Sequence, residues 1–464
     1  MTLFKSLLLG SAVGIVAVAG AQAADLPSKK AAPATYVKIC DAYGAGFFFI
    51  PGTDTCVKLG GRVRYDIGYA PKGNYYSKDG VKDMSVQDTY GQHIRGRIDL
   101  ESRTGTGYGV VRTVTQLRMG QNTGILGSKS NPSYQAAALD YSDVVKYDAY
   151  SPSIERAYIQ YMGFTVGRAN SAFAAGPSLA FGANSHFPSF ANGALQASYT
   201  AVLGGGFSAT IGIEDNQAEG GQNTDPSKFP YHTPYDKMPV LVGNVSYDQA
   251  WGRIQLSGAV ANNRAVVDTA TAVTWDKTKS GYAYAGFLTY NADMVGKGDK
   301  FYLLAGYSSG ITSLGYKDAS NASSSNSRDI DGIGQSYKNF SCNGSTTVAP
   351  TECQNTNTTW VSGAFVHNWT AQIRSNLMAG WASVDPGSIA RSTASTTQKT
   401  TFTAVGTNLI WSPTKDFDIG VEVLYNRAKV GETTGLGCLK AGATAGCSAS
   451  GDNVFTRIRL ERTF

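Results

Sequence analysis

The sequence predicts an all-β fold, a transmembrane antiparallel β-barrel of about sixteen strands with short periplasmic turns and long external loops. Three observations carry that expectation. Segments with period-two alternation follow one another along the chain, their connections are alternately short and long, and the last segment stops on an aromatic residue. In that last segment, Val454, Ile458, Leu460 and Phe464 share one face, while Arg457, Arg459 and Glu461 share the other. The first face suits lipid and the second suits water. A chain end normally frays, so a final Phe closing such a strand needs an apolar place for its ring.

The amino-terminal end reads as an export signal. Lys5 precedes an apolar run from Leu7 to Ala19, and Ala21-Gln22-Ala23 has the small-x-small form of a cleavage site. Cleavage after Ala23 is expected, leaving 24–464 as a single domain without an internal linker. No later stretch approaches the roughly 18 unbroken apolar residues of a membrane helix. Composition favours strands, with 54 Gly, 26 Tyr and 19 Phe among many Thr, Ser and Val. A mean hydropathy of −0.18 does not argue against a membrane, because a barrel places its apolar residues at every second position. The formal charge of +6 comes largely from arginines spaced along strands instead of clustered in runs. Nucleic acid is therefore not expected as a partner.

Candidate strands run at 56–70, 89–103, 107–119, 153–162 and 164–169, then at 194–202, 206–214, 239–248 and 251–261. The second half continues with 280–290, 300–309, 359–369, 371–382, 399–411, 416–428 and 452–464. Short connections are expected at Thr104–Thr106, Leu203–Gly205, Asp248–Ala250, Trp369–Thr370 and Ser412–Lys415. The intervening ones are long and rich in Ser, Asn, Gly and Asp, above all 310–358. Trp251, Trp369 and Trp411 lie beside short turns, where an aromatic girdle would sit.

Parity assigns the interior. Arg62, Arg64 and Asp66 oppose Val63, Tyr65 and Ile67, and the next strand sets His93, Arg95, Arg97, Asp99, Glu101 and Arg103 against Ile94, Ile98 and Leu100. Arg112, Gln116 and Arg118, then Arg156, Tyr158 and Gln160, continue the polar face. An Arg at the bilayer midplane costs roughly 2–4 kcal/mol, so this face turns to water. The row is either a basic strip that biases solutes in a channel or a set of arginines neutralised by Asp66, Asp99 and Glu101. If the last strand pairs with the first, Arg457 and Arg459 are expected beside Arg62 and Arg64.

The segment 169–193 is unusually apolar for an external loop, with Phe173, Phe181, Phe187 and Phe190. Its aromatic residues need burial. They find it either inside the barrel, with Phe173, Phe181 and Phe187 as anchors, or over the mouth or against a neighbouring subunit. Six cysteines fall in three close pairs, Cys40 with Cys56, Cys342 with Cys353, and Cys438 with Cys447. Local disulfides are the expected use in an exported chain. No pair has the spacing of a zinc or thioredoxin-type site, so no metal and no cofactor is expected. His93, His186, His232 and His367 are scattered, and no nucleophile elbow accompanies them, so an enzyme is not expected. Asp140 and Asp143 form no complete ion-binding loop.

The stretch from Tyr36 to Gly61, with Cys40-Asp41-Ala42-Tyr43-Gly44 and Pro51-Gly52-Thr53-Asp54-Thr55-Cys56, closely resembles the start of alphaproteobacterial general porins of the rhizobial and Brucella type. The resemblance implies a homotrimeric outer-membrane porin set among lipid and lipopolysaccharide. It implies passive diffusion of small hydrophilic solutes and ions, with a third loop narrowing the pore opposite basic residues. That loop would be 169–193, and Arg62, Arg64, Arg95, Arg97, Arg112 and Arg118 would be the basic side. A substrate-specific channel or a surface receptor is the nearest rival reading. Two residue patterns depart from the family: 169–193 holds no Asp or Glu, and Arg462 stands where many terminal porin strands carry an apolar residue.

Overall fold

A computed structural model describes residues 38–70, 74–77, 80–83, 90–123, 148–177, 179–181, 193–215, 238–269, 272–315, 339–343, 349–389, 399–431 and 449–464. Sixteen strands pair antiparallel in chain order and close into a barrel. They are β1 (Thr55–Tyr69), β2 (Tyr90–Thr106), β3 (Gly109–Asn122), β4 (Asp148–Tyr161), β5 (Phe164–Asn170), β6 (Gly193–Gly204), β7 (Phe207–Glu214) and β8 (Val240–Gln249). The second half is β9 (Gly252–Thr269), β10 (Ala272–Asn291), β11 (Lys300–Ser309), β12 (Asn357–Asn368), β13 (Ile373–Asp385), β14 (Thr400–Thr414), β15 (Phe417–Val430) and β16 (Ala449–Thr463).

Every second residue points outward. Val63, Ile94, Ile98, Leu117, Ile159, Val166, Leu256, Val260, Leu377, Val405, Val421 and Ile458 are all exposed on that face. A water-facing surface rarely carries so continuous an apolar band, and a bilayer requires one.

The short turns begin two or three residues later than the sequence suggests, except the one at Trp369, which begins where expected. They fall at Gly107–Tyr108, Gly205–Gly206, Ala250–Trp251, 369–372 and Lys415–Asp416. Strand pairing persists until residues that tolerate positive φ are reached, as at Gly205 and Gly206, with φ of 62° and 90°. The connection expected to be long between 261 and 280 is instead an extended hairpin. β9 and β10 stay paired from Gly252 opposite Tyr290 as far as Thr269 opposite Ala272.

That hairpin supports a cap at the long-loop end. The short strands Phe340–Cys342 and Cys353–Asn355 pair, joined by the Cys342–Cys353 disulfide, and Trp275 packs against Phe340 and Cys342. Asn263 Nδ2 donates to the Gly310 carbonyl at 2.6 Å, and Asn339 Nδ2 donates to Asn263 Oδ1 at 3.1 Å. Closing so short a loop by a disulfide contributes about 2–3 kcal/mol to local order. Cys342→Ser with Cys353→Ser is therefore expected to speed protease cleavage within 340–355 while the heat resistance of the barrel stays unchanged. A barrel that melts earlier would show the cap to be part of the barrel's own stability.

At the opposite end, Phe47–Phe49 pairs with the start of β1, Phe47 opposite Lys58 and Phe49 opposite Cys56. β16 stops at Phe464, so this piece covers the edge of β1 that β16 leaves unpaired. The Cys40–Cys56 disulfide fixes it there. Cys438 and Cys447 lie outside the described residues.

Candidate pore constriction

The interior is split, which the simple polar-inside expectation does not anticipate. On β8–β15 the inward residues Val242, Ala259, Ala283, Phe287, Leu304, Trp360, Ala382 and Phe402 belong to one buried apolar cluster, interspersed with polar residues such as Ser246, Asn376 and Asn426. On β1–β3 and β16 the inward residues are largely charged.

On that side the arginines stand in register across neighbouring strands. Arg62 stands opposite Arg97, and Arg97 opposite Arg118, forming one row across β1, β2 and β3. Arg64 stands opposite Arg95 in the next row. Like charges directly opposite cost roughly 0.2–1 kcal/mol per pair, so the rows are retained against stability. Carboxylates neutralise part of the strip. Glu461 bonds Arg64 Nε at 2.5 Å and lies 3.5 Å from Arg62, and Asp99 lies 2.8 Å from Arg97. Glu101 accepts from both Arg103 and Arg112, each at 2.7 Å from Nε. Among the described residues, no carboxylate lies within ion-pair distance of Arg95 or Arg118. Part of the strip is thus paired with carboxylates and part is not, and positive charges outnumber negative ones along it.

The seam differs from expectation. Arg459 lies opposite Asp66 and Arg457 opposite Gly68, while Arg62 and Arg64 meet Thr463 and Glu461. The end of the last strand pairs at Gly61, through Phe464, so its arginines reach a higher rung of β1 than parity alone suggests. Asp66 is fully buried and accepts from Arg459 Nε at 2.6 Å and from Arg459 Nη2 at 3.1 Å. His93 Nδ1 lies 2.9 Å from the same carboxylate. Arg457 packs over the ring of Phe455, 4.9 Å from its centroid. Arg462 turns away from the lumen and donates to the Lys415 carbonyl at 2.5 Å, bracing a short turn.

The segment after β5 folds inward, as one of the two readings of 169–193 requires. Phe173 is fully buried against the apolar wall, and Phe181 is also buried. Phe187 lies outside the described residues, so only two of the three expected anchors are located. What holds the segment is mainly its backbone, gripped by side chains from successive wall strands. Gln196 on β6 donates to the Asn170 carbonyl, Asn244 on β8 to Ala172, and Gln255 on β9 to Ala174. Glu214 on β7 accepts from the Ala172 N–H at 2.6 Å. At the far end Asn408 on β14 donates to the Leu179 carbonyl at 3.0 Å, and Glu422 on β15 accepts from the Phe181 N–H at 2.7 Å. Arg459 on β16 donates to the Phe181 carbonyl and lies over its ring, 4.7 Å from the centroid. The loop thus runs along the apolar wall and is tied to the charged seam.

A profile described as Porin subfamily matches residues 25–453 of the sequence. The chain belongs to this porin subfamily. Among curated relatives, Porin Omp2b of Brucella abortus (strain 2308) is 34% identical over 281 residues, covering 59% of this chain and 69% of the relative. Porin Omp2a of Brucella ovis is 34% identical over 280 residues, covering 59% and 74%. Among solved structures, the outer membrane channel DcaP of Acinetobacter baumannii aligns with a TM-score of 0.58 at 17% identity, covering 90% of this chain and 99% of that one. That likeness is one of fold. The porin is an outer-membrane channel and not an enzyme.

Several residues that build the porin's interior escaped the sequence reading. Glu214, Glu422, Asn244, Gln255 and Asn408 have inward parity but bond to loop backbone, which leaves no matching side chain in the sequence. Glu422, an acid set between the apolar Val421 and Val423, was the most visible signal. Among the described residues no group of three or more metal-ligating side chains comes together. His367 instead meets Asp299 at 2.6 Å beside the 292–299 turn.

Proposed function

We propose that the conducting path of this porin runs between the inward loop and the arginine wall, and that it favours anions. The observation that carries the reading is the pair of arginine rows, Arg62–Arg97–Arg118 and Arg64–Arg95, facing a loop segment with no acidic residue. Small hydrophilic solutes and ions cross by passive diffusion, and charge sets a bias. A charge contact in water contributes only about 1 kcal/mol at close range, and screening acts within about 8 Å at physiological salt, so the bias is several-fold. The porin works in this reading as a homotrimer in outer-membrane lipid and lipopolysaccharide, which rests on its resemblance to the rhizobial and Brucella proteins.

Reversal potentials in a salt gradient across planar bilayers test the bias. Wild type is expected to be anion-preferring, and Arg64→Gln with Arg95→Gln and Arg118→Gln is expected to bring the preference close to unity. Clear cation preference in wild type would overturn the assignment. Cross-linking in detergent tests the trimer, and a monomer that conducts alone would remove it.

A further inference from the structure

Beneath the root of the inward loop, the wall from β3 to β8 lines a partly open cavity of about 390 Å3. Small-molecule sites run from about 300 to 1,000 Å3, so its size suits a compact solute. Its lining differs in kind from the arginine rows. Amides and hydroxyls dominate, no Asp or Glu borders it, and Tyr158 adds an aromatic ring. The one cation among the lining residues, Arg156, already donates to Asn170 Oδ1 and to the Glu155 carbonyl.

The amides are held in fixed orientations. Gln160 accepts from Arg112 at 2.8 Å and donates to Thr165 at 3.1 Å. Gln196 accepts from Ser198 at 3.0 Å and donates to the Asn170 carbonyl at 2.5 Å. A primary amide carries two N–H groups and two lone pairs, so each keeps a donor and an acceptor for a further partner. A sugar ring presents the complement, neighbouring hydroxyls that each donate and accept. Arg156 brings one positive charge to the rim, with N–H groups already donated to Asn170 and the Glu155 carbonyl, and no carboxylate lines the cavity to hold a cation.

We propose that this cavity is a subsite for small uncharged polyhydroxylated solutes, of mono- to disaccharide size, held on the wall during passage. The proposal rests on the channel reading above and adds a solute class to it. The lumen then has two lanes of different chemistry, a charged one along β1–β3 and a neutral hydrogen-bonding one along β3–β8.

Single-channel recording in planar bilayers with sucrose or glucose added tests the subsite, against polyethylene glycol of matched hydrodynamic size. Sucrose is expected to reduce the current saturably and beyond the loss caused by the polymer. Gln116→Leu with Gln160→Leu is expected to raise the half-blocking sucrose concentration at least roughly fivefold, each channel being normalised to its own sugar-free current. A current loss that matches the polymer and never saturates overturns the subsite while leaving the channel intact. Saturable block that the double variant does not weaken overturns it as well. A protein that carries no current in any solution overturns both the subsite and the channel reading.

Discussion

Arg459→Ala is expected to release the far end of the inward loop and to give larger, noisier single-channel currents. The guanidinium does two jobs at once. It neutralises Asp66, which is fully buried, and it holds the Phe181 carbonyl. Removing it leaves the buried carboxylate with His93 at 2.9 Å but without its guanidinium partner, and deleting one partner of a buried pair costs about 3–5 kcal/mol. Nearby water in the lumen places this case toward the lower figure. The Phe181 backbone keeps only its N–H bond to Glu422.

Two companion variants set the scale. Arg459→Lys keeps the charge but cannot fork to both Asp66 oxygens, so an intermediate current is expected. Asn408→Ala removes the bond to the Leu179 carbonyl, worth about 1 kcal/mol, and a longer one of 3.3 Å to Glu422 Oε2, and is expected to change the current least. Planar-bilayer conductance, read alongside the urea midpoint of the folded barrel, separates loop release from global destabilisation. If Arg459→Ala unfolds earlier but conducts like wild type, the tie does not position the loop.

Much of this arrangement was legible because the strand period is two whatever the pairing. Arg62, Arg64, Arg95 and Arg97 could be sent inward from parity alone, and Val63, Ile94 and Ile98 outward. The register between β1 and β16 was not legible. It is fixed by the stagger of the whole barrel, so Arg459 meets Asp66 instead of Arg62. The apolar wall was hidden for another reason. Val240-Leu241-Val242 and Ala283-Tyr284-Ala285 are apolar on both faces, and only the inward loop packed over them explains why. The loop's aromatic residues announced a need for burial, but the amides and carboxylates that grip its backbone had no counterpart to read.

Gly61→Val is expected to be among the most damaging single substitutions in the chain, because it attacks the closure of the barrel. Gly61 and Phe464 exchange two backbone hydrogen bonds, each of 3.0 Å, at the last rung between β1 and β16. A Cβ at position 61 would stand 2.6 Å from the Arg97 carbonyl oxygen and 2.6 Å from the Phe464 ring. The ring could swing aside, but the carbonyl belongs to β2 and cannot. Overpacking of this kind costs roughly 1–3 kcal/mol, and shifting β1 away from β16 would also strain the ion pairs of Glu461 and Asp66. Deleting Phe464 leaves the Gly61 N–H and C=O unpaired at about 1–3 kcal/mol each, so a comparable loss is expected. Phe464→Ala keeps both backbone bonds, and the ring is already 66% exposed, so its effect is expected to be the smallest of the three. The folded fraction that resists unheated detergent on a gel reads this order directly. Should Phe464→Ala prove as damaging as the deletion, the ring on the outer surface, and not the backbone rung, would be what seals the barrel.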